Sequence, residues 1–301
     1  HISLNVSWLI INHMHELARV KVGSTNPIRV MGIINTSPES FYKKSIFTDK
    51  KIIEKTAKLM EEDGADFIDV GGMSTAPYLK TLVSEDQEVK RITNAINAIQ
   101  KTSKLPISID TCRAKVAEIA LKLGAEIVND VSGLKYDRNM VDILEKHNPS
   151  VIVCAFSSNP VRGNQVMQTK KLINQSVTLA LKSGIPKNKI VVDPAIGFFR
   201  RKAQGVLFTK INSDWLKRDV LILKNLNQIK GRHPILVSVS RKSFVGELLD
   251  EADPEKRLYG SLAAETFAAL NGADIIRTHN VKSTCDIVKI VENLKKCKKG
   301  L

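Results

Sequence analysis

Aromatic side chains make up only 5% of the 301 residues, so the formal charge of +15 has no interleaved stacking platform beside it. A nucleic-acid partner is therefore not expected. The lysines are spread along the chain, with only short basic runs such as Lys43-Lys44, Arg200-Arg201-Lys202 and the KKCKKG tail. That distribution attracts an anion without identifying it. No apolar run approaches the ~18 residues of a membrane span; the nearest candidate, SWLII at 7–11, is much too short, and no signal-peptide cleavage pattern follows it. A cytoplasmic protein with no membrane partner is the expectation. Cys112, Cys154, Cys285 and Cys297 form no C-x-x-C pair, and no His stands at zinc-ligand spacing. Reduced thiols are expected in place of a disulfide framework or zinc centre. No G-x-G-x-x-G opens the first helix, which weakens a dinucleotide-binding reading.

What is present is a repeating unit: a short apolar strand, a polar turn and a helix of amphipathic period. Strands are predicted at 29–35 (RVMGIIN), 67–72, 107–110, 126–130, 151–156, 190–193, 235–240 and 274–279, with helices between them. Several helices close on glycine, as a helix end prefers, and a helix, Gly-Ala, strand joint recurs at Gly64-Ala65, Gly124-Ala125 and Gly272-Ala273. Eight such units fit an α/β fold of the closed (β/α)8 TIM-barrel kind, a length that one domain accommodates. Residues 1–19 read as a leader or N-terminal extension, peripheral to the fold, with Met14 a candidate start; residues 20–301 read as the single barrel domain.

In such a barrel the chemistry lies at the carboxyl ends of the strands. The run PILVSVSRK illustrates the plan, delivering Ser238, Ser240 and Lys242 as a buried strand ends. The other ends offer Asn35, Asp69, Asp110, Asn129, Asp130, Ser157, Asp193, Arg277 and His279. Any one of these is an ordinary turn-former or solvated charge. Together they suit a small polar heterocycle carrying an anion.

In this order the motifs VMGIINTSPESF, GADFIDVGGMSTAPY, PISIDT, AEIVNDVSG, VVDPAIGF, VSVSRKSFVG and IIRTHNVK resemble the signatures of the dihydropteroate synthase family, over roughly residues 20–294. The PESFYK and DPAIGFFR wording is nearer to archaeal members than to bacterial ones. The resemblance implies a TIM barrel that joins 6-hydroxymethyl-7,8-dihydropterin diphosphate to an arylamine and releases pyrophosphate. It implies Asp110, Asn129, Asp193, Lys242 and Arg277 at the pterin, where carboxylate and carboxamide groups match the ring's adjacent donors and acceptors. It implies Asn35, Arg277 and His279 at the diphosphate, Asn35 through Mg²⁺. Lys242, Asp110, Arg277 and His279 carry the catalysis, and Thr75, Pro77, Phe198, Ser240 and Lys242 border the acceptor. A homodimer through the last helices is also implied.

Departures from the pattern fall on the acceptor side. Met73 and Ala76 stand where the family has Glu and Arg, Ala195 replaces a Gly, and Phe199-Arg200 replaces Gly-Lys. Two acceptors stand as expectations, p-aminobenzoate and a ribosyl-aminobenzene phosphate of methanopterin synthesis; loss of a loop cation counts against the first and suits the second, which lacks the same carboxylate. The basic segment 200–217 is expected to act as an acceptor-binding lid. Two other functions compete: a methyltetrahydropterin-dependent corrinoid methyltransferase, which needs no diphosphate site, and a non-catalytic pterin-binding paralogue. Asn35 and the Arg277/His279 pair argue against the first, and the intact set of strand-end residues against the second.

Overall fold

The computed structural model describes residues 14–23, 25–37, 49–73, 83–202 and 205–297. An antiparallel hairpin, β1 (His15–Leu17) and β2 (Val20–Val22), precedes the barrel strands β3 (Arg29–Asn35), β4 (Phe67–Gly71), β5 (Ile107–Asp110), β6 (Ile127–Asp130), β7 (Ser150–Cys154) and β8 (Ile190–Asp193). A short parallel pair, β9 (Phe199–Arg200) and β10 (Thr209–Lys210), comes next, and β11 (Leu236–Ser238) and β12 (Ile275–Thr278) complete the barrel. All eight barrel strands are parallel, in the order β11-β12-β3-β4-β5-β6-β7-β8. The ends of that row meet, because the Val192 amide donates to Pro234 O at 2.9 Å and Val192 pairs with Ile235. The predicted barrel is closed.

Around it lie α1 (Lys50–Glu62), α2 (Glu85–Thr102), α3 (Ala114–Lys122), α4 (Met140–His147), α5 (Gln165–Lys182), α6 (Trp215–Lys224), α7 (Leu226–Lys230), α8 (Ser243–Leu249), α9 (Leu258–Leu270) and α10 (Val281–Cys297). Asp49, Ser84, Asn164 and Asp214 begin four of them by accepting hydrogen bonds from first-turn amides. The Gly-Ala joints share one geometry. Gly64, Gly124 and Gly272 take φ of +95°, +100° and +99°, and the alanine amide after each reaches back to Met60 O, Ala120 O and Ala268 O at 2.9, 3.0 and 3.0 Å. Only glycine adopts that φ cheaply, and the bond closes the helix before the next strand.

Strand parity positions the site. Met31, Phe67, Ile127, Ile152, Val191, Leu236 and Ile275 pack together with Leu17 and Val22 of the hairpin and floor the barrel. Side chains alternate along a strand, so the residues two or four further on share that inward face. These are Asn35, Asp69, Asn129, Asp193, Ser240, Arg277 and His279. The opposite face, including Val30, Ile68, Ile109, Val128 and Val237, packs under the helices.

Two expectations change here. Residues 15–19, read as part of a peripheral leader, belong to the hairpin that closes the floor, where Leu17 is fully buried. Of segment 200–217, read as a lid, the described residues 200–202 and 205–217 are pinned instead: Arg200, Leu207, Phe208, Thr209 and Ile211 are buried, β9 pairs with β10, and the Val161 amide donates to Lys210 O at 2.8 Å. No helix among the described residues is long and apolar enough to cross a membrane. Cys112, Cys154 and Cys285 are free thiols, and burial pushes all three above the usual thiol range, which keeps them unreactive.

Candidate active site

Arg277 organises the carboxyl end of the barrel. From β12 its Nε donates to Asp69 Oδ2 at 2.6 Å and its Nη2 to Asp110 Oδ2 at 2.8 Å, joining β12 to β4 and β5. Asn129 Nδ2 donates to the same Asp69 oxygen at 3.2 Å. Asp69 is fully buried. Burial raises the Asp110 carboxyl to about 7, against the opposing pull of the Arg277 guanidinium.

Asn35 ends β3 beside this cluster. Gly71 makes the room: a Cβ there would stand 3.3 Å from Asn35 Oδ1 and 4.0 Å from Asp110 Oδ2. Asn35 and Asp110 therefore flank one small residue at the mouth. Among the described residues no cluster of His, Cys, Asp and Glu could hold a metal by itself. A single carboxamide oxygen nonetheless fits an Mg²⁺ whose remaining positions are water and substrate oxygens.

On the far wall Asp193 Oδ1 accepts from the Ala195 amide at 2.6 Å, an Asx turn that fixes the carboxylate as β8 ends. Burial raises its pKa, and the Lys242 ammonium opposes that rise. Lys242 Nζ donates to Ile196 O at 2.5 Å and lies 4.7 Å from the Phe198 ring centroid. Burial lowers the Lys242 ammonium to about 8. Phe198 stacks on Phe208 at 5.5 Å. Ser240 Oγ sits 3.0 Å from His279 Nδ1 and also accepts from the His279 amide at 3.3 Å. Burial first, then Arg277, Arg241 and Lys242, hold His279 well below its usual range, so its ring is neutral.

The structure thus brings together Asn35, Asp110, Asn129, Asp193, Phe198, Ser240, Lys242, Arg277 and His279. Thr75 and Pro77, expected at the acceptor, lie outside the described residues. Asp130 ends a strand like the others but faces away, accepting from the Ser132 and Leu134 amides to shape its own loop. Asp69, which accepts from both Arg277 and Asn129, is the buried strand-end residue to which sequence reasoning gave no role. Its parity with Phe67 in FIDVG was the available signal.

The family profile described as "Pterin binding enzyme" matches residues 31–279. The dihydropteroate synthase of Synechocystis sp. is 35% identical over 272 residues, covering 88% of this chain and 89% of that protein. The chain belongs to the dihydropteroate synthase family. Two solved members of the family share its architecture. The dihydropteroate synthase of Coxiella burnetii in complex with pteroic acid is 32% identical with a TM-score of 0.79, covering 94% of this chain and 98% of that one. The Xanthomonas albilineans dihydropteroate synthase with 4-aminobenzoic acid is 28% identical with a TM-score of 0.80, again covering 94% and 98%.

Proposed function

We propose that this chain catalyses the dihydropteroate synthase reaction of folate biosynthesis, with 4-aminobenzoate as acceptor. The C–O bond between the pterin methylene and the diphosphate breaks, its electron pair leaving with pyrophosphate. The arylamine nitrogen then forms the C–N bond and gives up one proton to water. The observation that carries the reading is the Arg277 bridge. It sets a cation between the anion-binding strand end that includes His279 and the pterin-reading carboxylate of Asp110. The relatives named above support the folate branch; nothing among them favours a methanopterin acceptor, a corrinoid methyltransferase or a non-catalytic paralogue.

Asp110, Asn129 and Asp193 read the donors and acceptors of the pterin edge, each held by a bond that fixes its direction. Leaving such groups unpaired is costly, which rejects rings with the wrong edge. Arg277 Nη1 makes no hydrogen bond to the described residues and faces the departing diphosphate, as does the neutral His279 as a donor. Lys242 spans the pterin and acceptor halves, with Phe198 and Ser240 beside it. Asn35 would hold Mg²⁺, which supplies charge neutralisation for the diphosphate when bound. These substrates are small and polar, which suits a cytoplasmic enzyme.

Two copies are proposed to associate. Leu248 and Leu249 of α8 and Tyr259, Phe267 and Leu270 of α9 are exposed apolar side chains. Leu248, Leu249 and Phe267 line a groove of about 370 Å³ between α6, α8 and α9. Light scattering should give the mass of two chains, reduced to one by Leu248→Glu.

Mass-spectrometric detection of dihydropteroate, formed from dihydropterin diphosphate, 4-aminobenzoate and Mg²⁺, tests the activity. Wild type should form it, and Asp193→Ala and Lys242→Met should not. Equal yields from all three proteins would remove these residues from the site.

A further inference from the structure

A single peptide group separates Asp219 of α6 from the Lys242 ammonium. Asp219 Oδ2 accepts from the Gly197 amide at 3.0 Å. The carbonyl of that same peptide, Ile196 O, accepts from Lys242 Nζ at 2.5 Å. In a trans peptide the N–H and C=O point in opposite directions, so fixing one fixes the other. A carboxylate on the N–H also polarises the carbonyl toward its own donor.

The rest of the loop is held from the same helix. Ala195 and Gly197, on either side of Ile196, both take positive φ, +56° and +88°, so the Ile196–Gly197 peptide is turned out of line with its neighbours. Arg218 Nη2 donates to Pro194 O at 2.8 Å and to Thr169 Oγ1 at 3.1 Å, and its Nη1 donates to Ala195 O at 3.2 Å. Arg218 thus takes the two carbonyls before Ile196 and leaves Ile196 O to the lysine. Arg218 Nη1 also donates to Asp219 Oδ1 at 2.9 Å, which turns the other carboxylate oxygen to Gly197. Both side chains are buried. A buried ion pair is often no more stable than well-packed apolar residues in the same space. Stability alone therefore gives little reason for this one, whereas its bonds converge on the wall against which Lys242 lies.

We propose that Asp219, held by Arg218, is the positioning residue for Lys242 and acts through the Ile196–Gly197 peptide. The importance of Lys242 to turnover rests on the transferase reading above. The charges facing its ammonium are Asp193 and Asp219, which favour it, and Arg277, which opposes it. His279 is neutral and Cys154 keeps its proton.

The test removes both charges together, so that neither is left unpaired. Arg218→Met with Asp219→Asn keeps an oxygen for the Gly197 amide, and Arg218→Met with Asp219→Leu does not. The readouts are kcat/KM for dihydropteroate formation and the titration of Lys242, followed by NMR of isotope-labelled lysine with the Lys242→Arg spectrum as the assignment. The Asn variant should stay within about threefold of wild type, and the Leu variant should fall about tenfold or more. Lys242 should titrate at lower pH in the Leu variant than in the Asn variant, because its ammonium has lost a fixed acceptor. Equal kcat/KM and equal titration in the two variants would overturn the proposal. If either variant does not fold, wild type decides: the Gly197 amide resonance should move with the Lys242 titration, and an amide that stays still across it would overturn the link. No turnover by wild type, with the variants still differing in their Lys242 titration, would overturn the transferase reading and leave the positioning role supported.

Discussion

Lys242 lies across Gly197: a methyl group on the glycine would stand 2.9 Å from Lys242 Cδ, and the glycine has φ +88°. The close approach lets Lys242 Nζ reach Ile196 O. Gly197→Ala should therefore cost about 1–2 kcal/mol in backbone strain alone and also push the lysine out of line. Thermal unfolding and steady-state kinetics together check it. The expected result is a lowered Tm with a kcat/KM reduced roughly tenfold or more, since tenfold corresponds to about 1.4 kcal/mol. A lowered Tm with unchanged kinetics would mean that the lysine finds its place without the glycine.

The ionisation of Lys242 sets a pH limit. Burial lowers its pKa from 10.5 to about 8, so the ammonium is present below that value and lost above it. Activity that needs the cation should fall on the alkaline side of about pH 8 in a kcat/KM profile, which reports the free enzyme. Arg keeps its charge throughout this range. Lys242→Arg, however reduced in rate, should therefore show no alkaline limb there. A limb at the same pH in both proteins would assign it to another group.

Arg277→Ala should weaken binding of dihydropterin diphosphate more than binding of the bare pterin, because its guanidinium is the proposed diphosphate contact. Calorimetric titration with each ligand measures the difference, and equal losses would refute the role. Asp69→Ala tests the other end of the bridge. Removing one partner of a buried ion pair typically costs roughly 3–5 kcal/mol, which denaturant unfolding would register.

Ala195 occupies a left-handed conformation, φ +56°, where the family pattern carries glycine. An L side chain pays roughly 1–2 kcal/mol there, partly offset by the greater flexibility of an unfolded glycine. Ala195→Gly should stabilise the protein by about 0.5–1 kcal/mol, seen as a small rise in Tm. The bond from its amide to Asp193 should survive, so kcat should change little.

Much of this architecture could be read from the chain, because an apolar strand residue at the barrel floor fixes the inward face two residues later. Phe67 predicts Asp69, Val191 predicts Asp193 and Ile275 predicts Arg277 by parity alone. The helix-closing glycines were equally legible, since their positive φ leaves few alternatives. Other features depend on distant partners. The floor hairpin has only three residues in each strand, too few to show a period, and it is stabilised by Met31, Phe67 and Ile275 from elsewhere in the chain. Arg200 reads as a surface charge in a basic run, yet Trp215 and Ser243 bury it. Arg218 looks like the polar face of an amphipathic helix. It is inside because the Pro194 and Ala195 carbonyl groups and Asp219 receive it.

The central claim concerns the bond that breaks. Pyrophosphate release from 6-hydroxymethyl-7,8-dihydropterin diphosphate with Mg²⁺, followed with and without 4-aminobenzoate, addresses it most directly. Release should depend on the amine and match dihydropteroate one for one, and it should be lost in Arg277→Ala. Tight binding of the pterin with no pyrophosphate released by any arylamine would contradict the account.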